Sequence, residues 1–271
     1  MEIVNAITIL DEIHTTGHSP LKVQCDDGNI YIVKKRKHLQ SDTEMVSEFL
    51  CNYLCRQWGI KTPECKFVSV PSELIIHDPN LSNRHKANHY ENYLCFGSQF
   101  MPDALDVELT DLTYVKGSRS IYNDMTELLK IGLFDLWVVN IDRKPTNLNL
   151  MKQIMPNGKF DFVAIDHAYA FDTLRYDQLT KDLELSTNES ILYLDVALTI
   201  YKGLSSQDID NEFKTYFIDS ISKCENGAND FLNEIDHNFE DERKFFSHVL
   251  RFLLDKNRNG TIFADFLTRL K

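Results

Sequence analysis

Residues 134–148 read Phe134-Asp135-Leu136-Trp137-Val138-Val139-Asn140-Ile141-Asp142-Arg143-Lys144-Pro145-Thr146-Asn147-Leu148, and what this stretch joins decides the fold. Its first half belongs to an apolar stripe, Met125, Leu128, Leu129, Leu133, Leu136 and Trp137, at the spacing of one helix face, which predicts a helix from about Asp124 to Val139. Its second half is polar and predicts a loop. Beyond it, Leu148 to Met155 and Phe160 to Ile165 flank Pro156-Asn157-Gly158, and Asn-Gly between strand-like runs is a strong hairpin signal. With Asn157 and Gly158 as the central pair of a two-residue turn, Asp166 faces Asn149 and lies about two positions from the partner of Asn147.

The loop carries the pattern D-R-x-x-x-N at Asp142, Arg143 and Asn147. Moving a phosphoryl group from ATP needs a carboxylate that orients the attacking hydroxyl and accepts its proton, and an amide oxygen a few residues on that helps hold a metal on the phosphates. Asp142 and Asn147 have that spacing, and Arg143 is placed to brace the loop. The same chemistry requires a second carboxylate that meets the metal directly. Hairpin geometry nominates Asp166, the first polar residue after the run Phe160–Ile165, so the two metal ligands Asn147 and Asp166 converge at one end of the hairpin.

Working outward, the first hundred residues read as strands with one helix and the rest as mostly helical around the hairpin, which predicts two lobes, 1–100 and 101–271. Ala6 to His14, Leu21 to Cys25 and Ile30 to Lys34 are β-rich runs separated by Thr15-Thr16-Gly17 and Asp26-Asp27-Gly28, an antiparallel meander. With Asp27-Gly28 central, Leu21 opposes Lys34. This sets Lys34 beside the loop Thr15 to Ser19, where a fixed cation for phosphates belongs. A helix from Ser41 to Trp58, capped by Gly59, carries Met45, Val46, Phe49, Leu50, Tyr53 and Leu54 at helical spacing. Glu48 on this helix is the carboxylate expected to fix Lys34, with Glu44 a weaker rival. Lys66 to Val70 and Tyr93 to Phe100 read as two further strands joined by a polar loop.

The chain has 271 residues, 43% hydrophobic and 26% charged, the composition of a folded globular protein. Its net charge of −12 argues against a general affinity for duplex nucleic acid or an anionic membrane, because both demand a basic face. Met1-Glu2 opens no secretory signal, no apolar run is long enough for a bilayer, and a cytoplasmic protein is expected. The cysteines Cys25, Cys51, Cys55, Cys65, Cys95 and Cys224 contain no C-x-x-C pair, so no disulfide is expected.

With these residues in place, the chain resembles a HipA-like kinase domain, within the broad protein-kinase and phosphatidylinositol-kinase fold. The matching stretches are Tyr31 to Lys34, the Glu48 helix ending Trp58-Gly59-Ile60-Lys61-Thr62-Pro63, Tyr93 to Gln99 leading to a hinge near Phe100, Phe134 to Leu150, and Ile165-Asp166-His167-Ala168. Lys34 ends a strand as in V-A-I-K, and Asp166 stands where the D-F-G aspartate of protein kinases stands. The resemblance implies an α+β bilobal fold with an antiparallel β-rich N-terminal lobe and a mainly helical C-terminal lobe. It also implies ATP and Mg²⁺ as cofactors, Asp142 as catalytic base, Asn147 and Asp166 as magnesium ligands, Lys34 as phosphate clamp, and Ser98, Gln99 and Phe100 as the adenine edge. HipA-like proteins are Ser/Thr kinases, some acting as toxins of toxin–antitoxin pairs. A protein substrate and an antitoxin-like or small regulatory partner follow from that likeness, and Thr15, Thr16 and Ser19 become self-phosphorylation sites. The chain departs from the wider kinase pattern in its phosphate loop: Thr15-Thr16-Gly17-His18-Ser19-Pro20 has one glycine, which leaves Gly17, Ser19 and backbone N–H groups to cradle phosphate. Lys144 follows the D-R pair where relatives often have histidine; it is open to a γ-phosphate contact or to solvent.

Two further functions share these residues: a small-molecule kinase with the same Asp/Asn/Asp apparatus, and a nucleotide-binding module that has lost turnover. Asp255-Lys256-Asn257-Arg258-Asn259-Gly260-Thr261-Ile262 imitates a calcium loop but has Phe266 at its twelfth position, which predicts a helix-connecting turn. Cys51 and Cys55 read as core residues, and His85 and His89 as residues of a solvated loop.

Overall fold

The computed structural model describes residues 1–14, 19–35, 43–83, 85, 94–113, 121–186, 190–204, 209–235 and 239–271. Five short strands close into a barrel in the spatial order β1 (Ile3–Glu12), β2 (Leu21–Cys25), β3 (Ile30–Lys34), β5 (Cys95–Gln99), β4 (Cys65–Ser69). Alternation of apolar with polar residues drives closure: Leu21, Val23 and Cys25 from β2, and Tyr31 and Val33 from β3, are buried and form the barrel interior with Val4, Val68 and Cys95. The expected all-antiparallel arrangement is corrected at one seam. β1 and β4 pair in parallel, Ile3 with Phe67 and Asn5 with Ser69, and this pairing shuts the barrel.

Both hairpins are one residue out of the expected register. Leu21 lies opposite Val33, and Leu150 of β7 (Leu150–Ile154) lies opposite Ala164 of β8 (Phe160–Ala164). The cause is the same in each. Cys25 N–H donates to Asn29 O at 2.9 Å, and Met155 N–H to Lys159 O at 2.7 Å, so each loop has three residues and ends in a left-handed glycine, Gly28 (φ 82°) or Gly158 (φ 76°). X-Gly thus closes a three-residue bulged turn here instead of a two-residue one.

The second sheet has three strands, because β6 (Ala104–Asp106) adds to β7, a strand absent from the sequence reading. The segment after β4 contains a short helix, α2 (Ser72–Ile76), where a polar loop was expected. The long helices are α1 (Thr43–Gln57), α4 (Thr126–Val138), α6 (Ile209–Ile235) and α9 (Lys256–Leu270), with α3 (Leu109–Thr113), α5 (Asp195–Lys202), α7 (Glu240–Arg243) and α8 (Phe246–Leu254) between them. The calcium-like stretch is the start of α9. Asp255 alone joins α8 to α9 and caps the latter by accepting the N–H groups of Asn257 and Arg258, so from Lys256 on the chain is helix where a helix-connecting turn was expected.

One large hydrophobic core runs through the helices and takes in α1: Phe49, Leu50, Leu54 and Trp58 share it with Leu128, Leu133, Phe134 and Trp137. Trp58 packs against Trp137 at 5.0 Å and Phe134 at 5.2 Å between ring centroids, and Tyr53 stacks on Phe231 of α6 at 4.5 Å. α1 therefore bridges the barrel and the helices. All six cysteines are free thiols. His85 is buried, not solvated, with Nε2 3.1 Å from Glu12 of β1, while His89 lies outside the described residues. Among the described residues no helix is long and apolar enough to cross a membrane.

Candidate active site

The loop after α4 takes its shape from a left-handed residue and a buried ion pair. α4 ends where Val139 adopts φ 51°, ψ 57°, a strained conformation for a β-branched side chain, which turns the chain abruptly. Asn140 then ties the loop to the helix, donating from Nδ2 to Asp135 Oδ1 at 3.3 Å and accepting the Asp142 N–H at 3.2 Å. Arg143 is completely buried. It pairs with Asp135, donates from Nη2 to Ile165 O at 2.7 Å and from Nε to Asn149 O at 3.3 Å, and so fastens the loop to α4 and to the end of β8. Burial pushes the Asp135 carboxyl up, to about 7, against the pull of Arg143 and Asn140.

Lys144 and Asn147 exchange both backbone hydrogen bonds at 2.9 Å, so Pro145-Thr146 form a tight turn that folds Asn147 back toward Asp142. Asp142 Oδ2 accepts Nδ2–H of Asn147 at 2.9 Å and Nδ2–H of Asn149 at 3.0 Å. Its other oxygen lies 4.0 Å from Lys144 Nζ. The carboxylate is thus oriented by two amides and remains partly exposed.

Lys34, at the end of β3, reaches two carboxylates: Glu48 Oε1 of α1 at 2.6 Å and Asp166 Oδ2 at 2.8 Å. Burial alone would lower the lysine pKa; Glu48 and Asp166 outweigh it and raise it. Glu48 is 3% exposed, and its second oxygen accepts the His167 N–H at 2.8 Å. Burial raises the Glu48 carboxyl while Lys34 pulls it down. Asp166 itself is left-handed (φ 56°), as is Asn149 (φ 45°) across the hairpin end.

Lys34, Glu48, Asn147 and Asp166 all line one cleft of about 660 Å³, and so do Ser98, Gln99 and Phe100. Asp142 and Arg143 are not in its wall. At the Ser98–Phe100 edge the backbone donors are already engaged. Gln99 N–H bonds Glu64 O at 2.7 Å and Phe100 N–H bonds Ile30 O at 2.8 Å, both serving barrel closure, and the cleft continues to Met101. Ser19 is buried with φ 46°, and its neighbour Pro20 faces the cleft; Thr15, Thr16 and Gly17 lie outside the described residues.

A family model of HipA-like kinases matches residues 6–193. The chain belongs to the HipA-like kinase family. The proinflammatory kinase CtkA of Helicobacter pylori is similar in structure, with a TM-score of 0.53 at 12% identity, covering 98% of each chain. HipA of Shewanella oneidensis MR-1, solved with HipB and operator DNA, aligns with a TM-score of 0.42 at 12% identity over 97% of this chain and 67% of that one. No protein of curated function matches. At this identity the CtkA likeness shows the fold, and kinase activity with use of ATP follows from the family.

In this HipA-like kinase the residues present fit a divalent cation on ATP phosphates. The amide oxygen of Asn147 and the carboxylate of Asp166 are hard oxygen donors in the same cleft. No group of three His, Cys, Asp or Glu that could hold a metal exists among the described residues. Three residues that contact the candidate site residues escaped the sequence reading: Asn149, which holds Asp142; His167, whose N–H holds Glu48; and Asp135, the partner of Arg143. Asp135 had a signal, a lone carboxylate between Phe134 and Leu136 on a buried stripe, which demands a cation. His167 acts through a backbone N–H, which leaves no mark in residue type, and Asn149 through a side-chain amide whose nearness to Asp142 is set by the fold of the loop.

Proposed function

We propose that this protein transfers the γ-phosphoryl group of ATP to a Ser or Thr hydroxyl of a protein. The observation that carries the proposal is the convergence of Lys34, Glu48, Asp166 and Asn147 on one cleft, with Asp142 oriented at its margin. Residues 1–100 and 101–271 would form the two lobes around the nucleotide. Met101, beyond the engaged N–H groups of Gln99 and Phe100, is the backbone donor offered to the purine. Lys34, held by Glu48, clamps the phosphates. Asp142 orients the acceptor hydroxyl and takes up its proton, kept in place by the amides of Asn147 and Asn149. Arg143 shapes the loop from beneath. When bound, Mg²⁺ held by Asn147 and Asp166 supplies neutralisation of the phosphate charge. Family membership supports a small regulatory, antitoxin-like partner and a cytoplasmic setting as parts of the same proposal.

The test is radiolabelled γ-phosphate transfer by purified protein with and without cell lysate. Label on phosphoserine or phosphothreonine of protein bands, reduced about 10²- to 10⁴-fold by Asp142→Asn, is expected. Label confined to small molecules would replace the protein acceptor with a metabolite, and no ATP consumption in either arm would reduce the chain to a nucleotide-binding module.

A further inference from the structure

The segment after Asp166 makes an unusual detour. Phe171, Asp172 and Thr173 are consecutive non-glycine residues with φ of 59°, 53° and 56°. Left-handed backbone in three successive L-residues is unfavourable and persists only where the surroundings fix it. The detour is pinned by Asp172 N–H on Val139 O at 3.1 Å and by the fully buried Phe171 ring. Its product is the position of Tyr176. The tyrosine ring packs edge-on against Phe171 at 5.4 Å, and its hydroxyl lies 3.2 Å from Ser47 Oγ on α1, both side chains being buried.

Ser47 immediately precedes Glu48, whose two oxygens are divided between Lys34 Nζ and the His167 N–H. Holding both partners at once fixes how far α1 can rotate or slide, since hydrogen bonds weaken steeply outside a narrow geometry. A phenylalanine would fill the Tyr176 site with the same apolar ring. The hydroxyl therefore has a role in linkage, and its partner sits next to the residue that must not move. We propose that Tyr176 is a positioning residue for the Lys34–Glu48 pair, acting on α1 through Ser47. This inference rests on the kinase reading for its consequence, though not for its geometry.

The experiment uses the full chain with Tyr176→Phe, Ser47→Ala and both together. Amide hydrogen exchange without nucleotide reads Glu48 directly through the His167 N–H, and steady-state kinetics separate kcat from KM for ATP. In each single variant, His167 and α1 amides should exchange roughly two- to tenfold faster and kcat should fall by a similar factor, with KM for ATP held within about twofold. Amides of α4 and the barrel should be unchanged. The double variant should be no worse than either single one, because both remove one contact. Unaltered His167 exchange in Tyr176→Phe and Ser47→Ala overturns the proposal, and so does faster exchange spread evenly over α4 and the barrel, which marks general loosening. A wild-type protein that transfers no phosphoryl group defeats the kinase reading alone, since the exchange measurement still decides the role of Tyr176.

Discussion

Arg143–Asp135 and Lys34–Glu48–Asp166 are charged clusters at the same end of one hairpin, yet they are built on opposite terms. In the first, both side chains are completely buried, and the guanidinium directs its other donors to the carbonyls of Ile165 and Asn149. In the second, Lys34 and Asp166 keep 14% and 30% of their side-chain surface open, toward the cleft. Removing two charges from water costs about as much as their attraction returns, so a sealed pair adds little net stability and acts by fixing shape. An accessible carboxylate can exchange its lysine for another cation. One cluster thus gives the hairpin its form, and the other faces the cleft in which the proposed chemistry would take place.

The largest expected effect breaks the sealed cluster. Arg143→Met leaves Asp135 buried without its cation, so the carboxyl must take up a proton and loses its charged partner, which should cost about 3–5 kcal/mol of stability in urea unfolding. A cost below about 1 kcal/mol would erase the distinction between the clusters. Asp166→Asn should cost less than about 1 kcal/mol, because Lys34 keeps Glu48 and the aspartate is already partly solvated. Its effect should fall on ligand binding. Mg-ATP at a hundredfold excess over Kd stabilises a wild-type binder by about 2.7 kcal/mol, and Asp166→Asn should abolish that thermal shift. Equal destabilisation by the two variants would make both clusters scaffolding.

The two clusters also differ in how far the sequence disclosed them. The places of Lys34, Glu48, Asp142, Asn147 and Asp166 were legible because Lys34 ends a strand run of plain pattern and Asp166 follows one, Glu48 lies on a helix of plain period, and Asp142 and Asn147 fill the polar loop between helix and hairpin. The barrel strands and α4 were legible from alternation and helical spacing. What stayed hidden was set by backbone detail. Asp-Gly and Asn-Gly announce a turn but do not count its residues, so both registers were off by one, and a slip of one residue in a strand exchanges its faces. The parallel closure of β1 on β4 joins segments about sixty residues apart with no pattern linking them. β6 has three residues, too few for a period to show. The left-handed turns at Val139 and at Phe171–Thr173 are held by tertiary contacts against local preference, and local preference is what sequence patterns report.

His167 touches both clusters, and its titration gives a third, smaller test. Its Nδ1 is 3.5 Å from Arg143 Nη2, its Nε2 3.7 Å from Cys55 Sγ, and its N–H holds Glu48. Burial, with the Arg143 charge, holds its pKa well below 6.5, so the folded protein keeps it neutral while the unfolded chain takes up a proton below about pH 6.5. Its contribution is therefore complete above that pH and lost as pH falls, by up to about 1.4 kcal/mol per pH unit. His167→Asn should flatten the fall in stability between about pH 7.5 and about pH 5.5 by that amount. A slope identical to wild type would separate the histidine from the sealed cluster.

The smallest effect is expected at Lys144, the cation whose partner the sequence left open. Its side chain is 35% exposed, 4.0 Å from Asp142, and it is not among the residues lining the cleft. An exposed pair at that distance contributes little, so Lys144→Ala should change stability by less than about 0.5 kcal/mol. The same placement leaves KM for ATP within about twofold of wild type, whereas Lys34→Ala removes a cation that two carboxylates hold in the cleft and should sharply depress phosphoryl transfer. A tenfold or greater rise in KM for Lys144→Ala would put its ammonium on the phosphates in the bound state. Fixed geometry would then no longer be what separates a working cation from a surface charge in this protein, because a lysine held by one distant carboxylate would be doing the task of one held by two close ones.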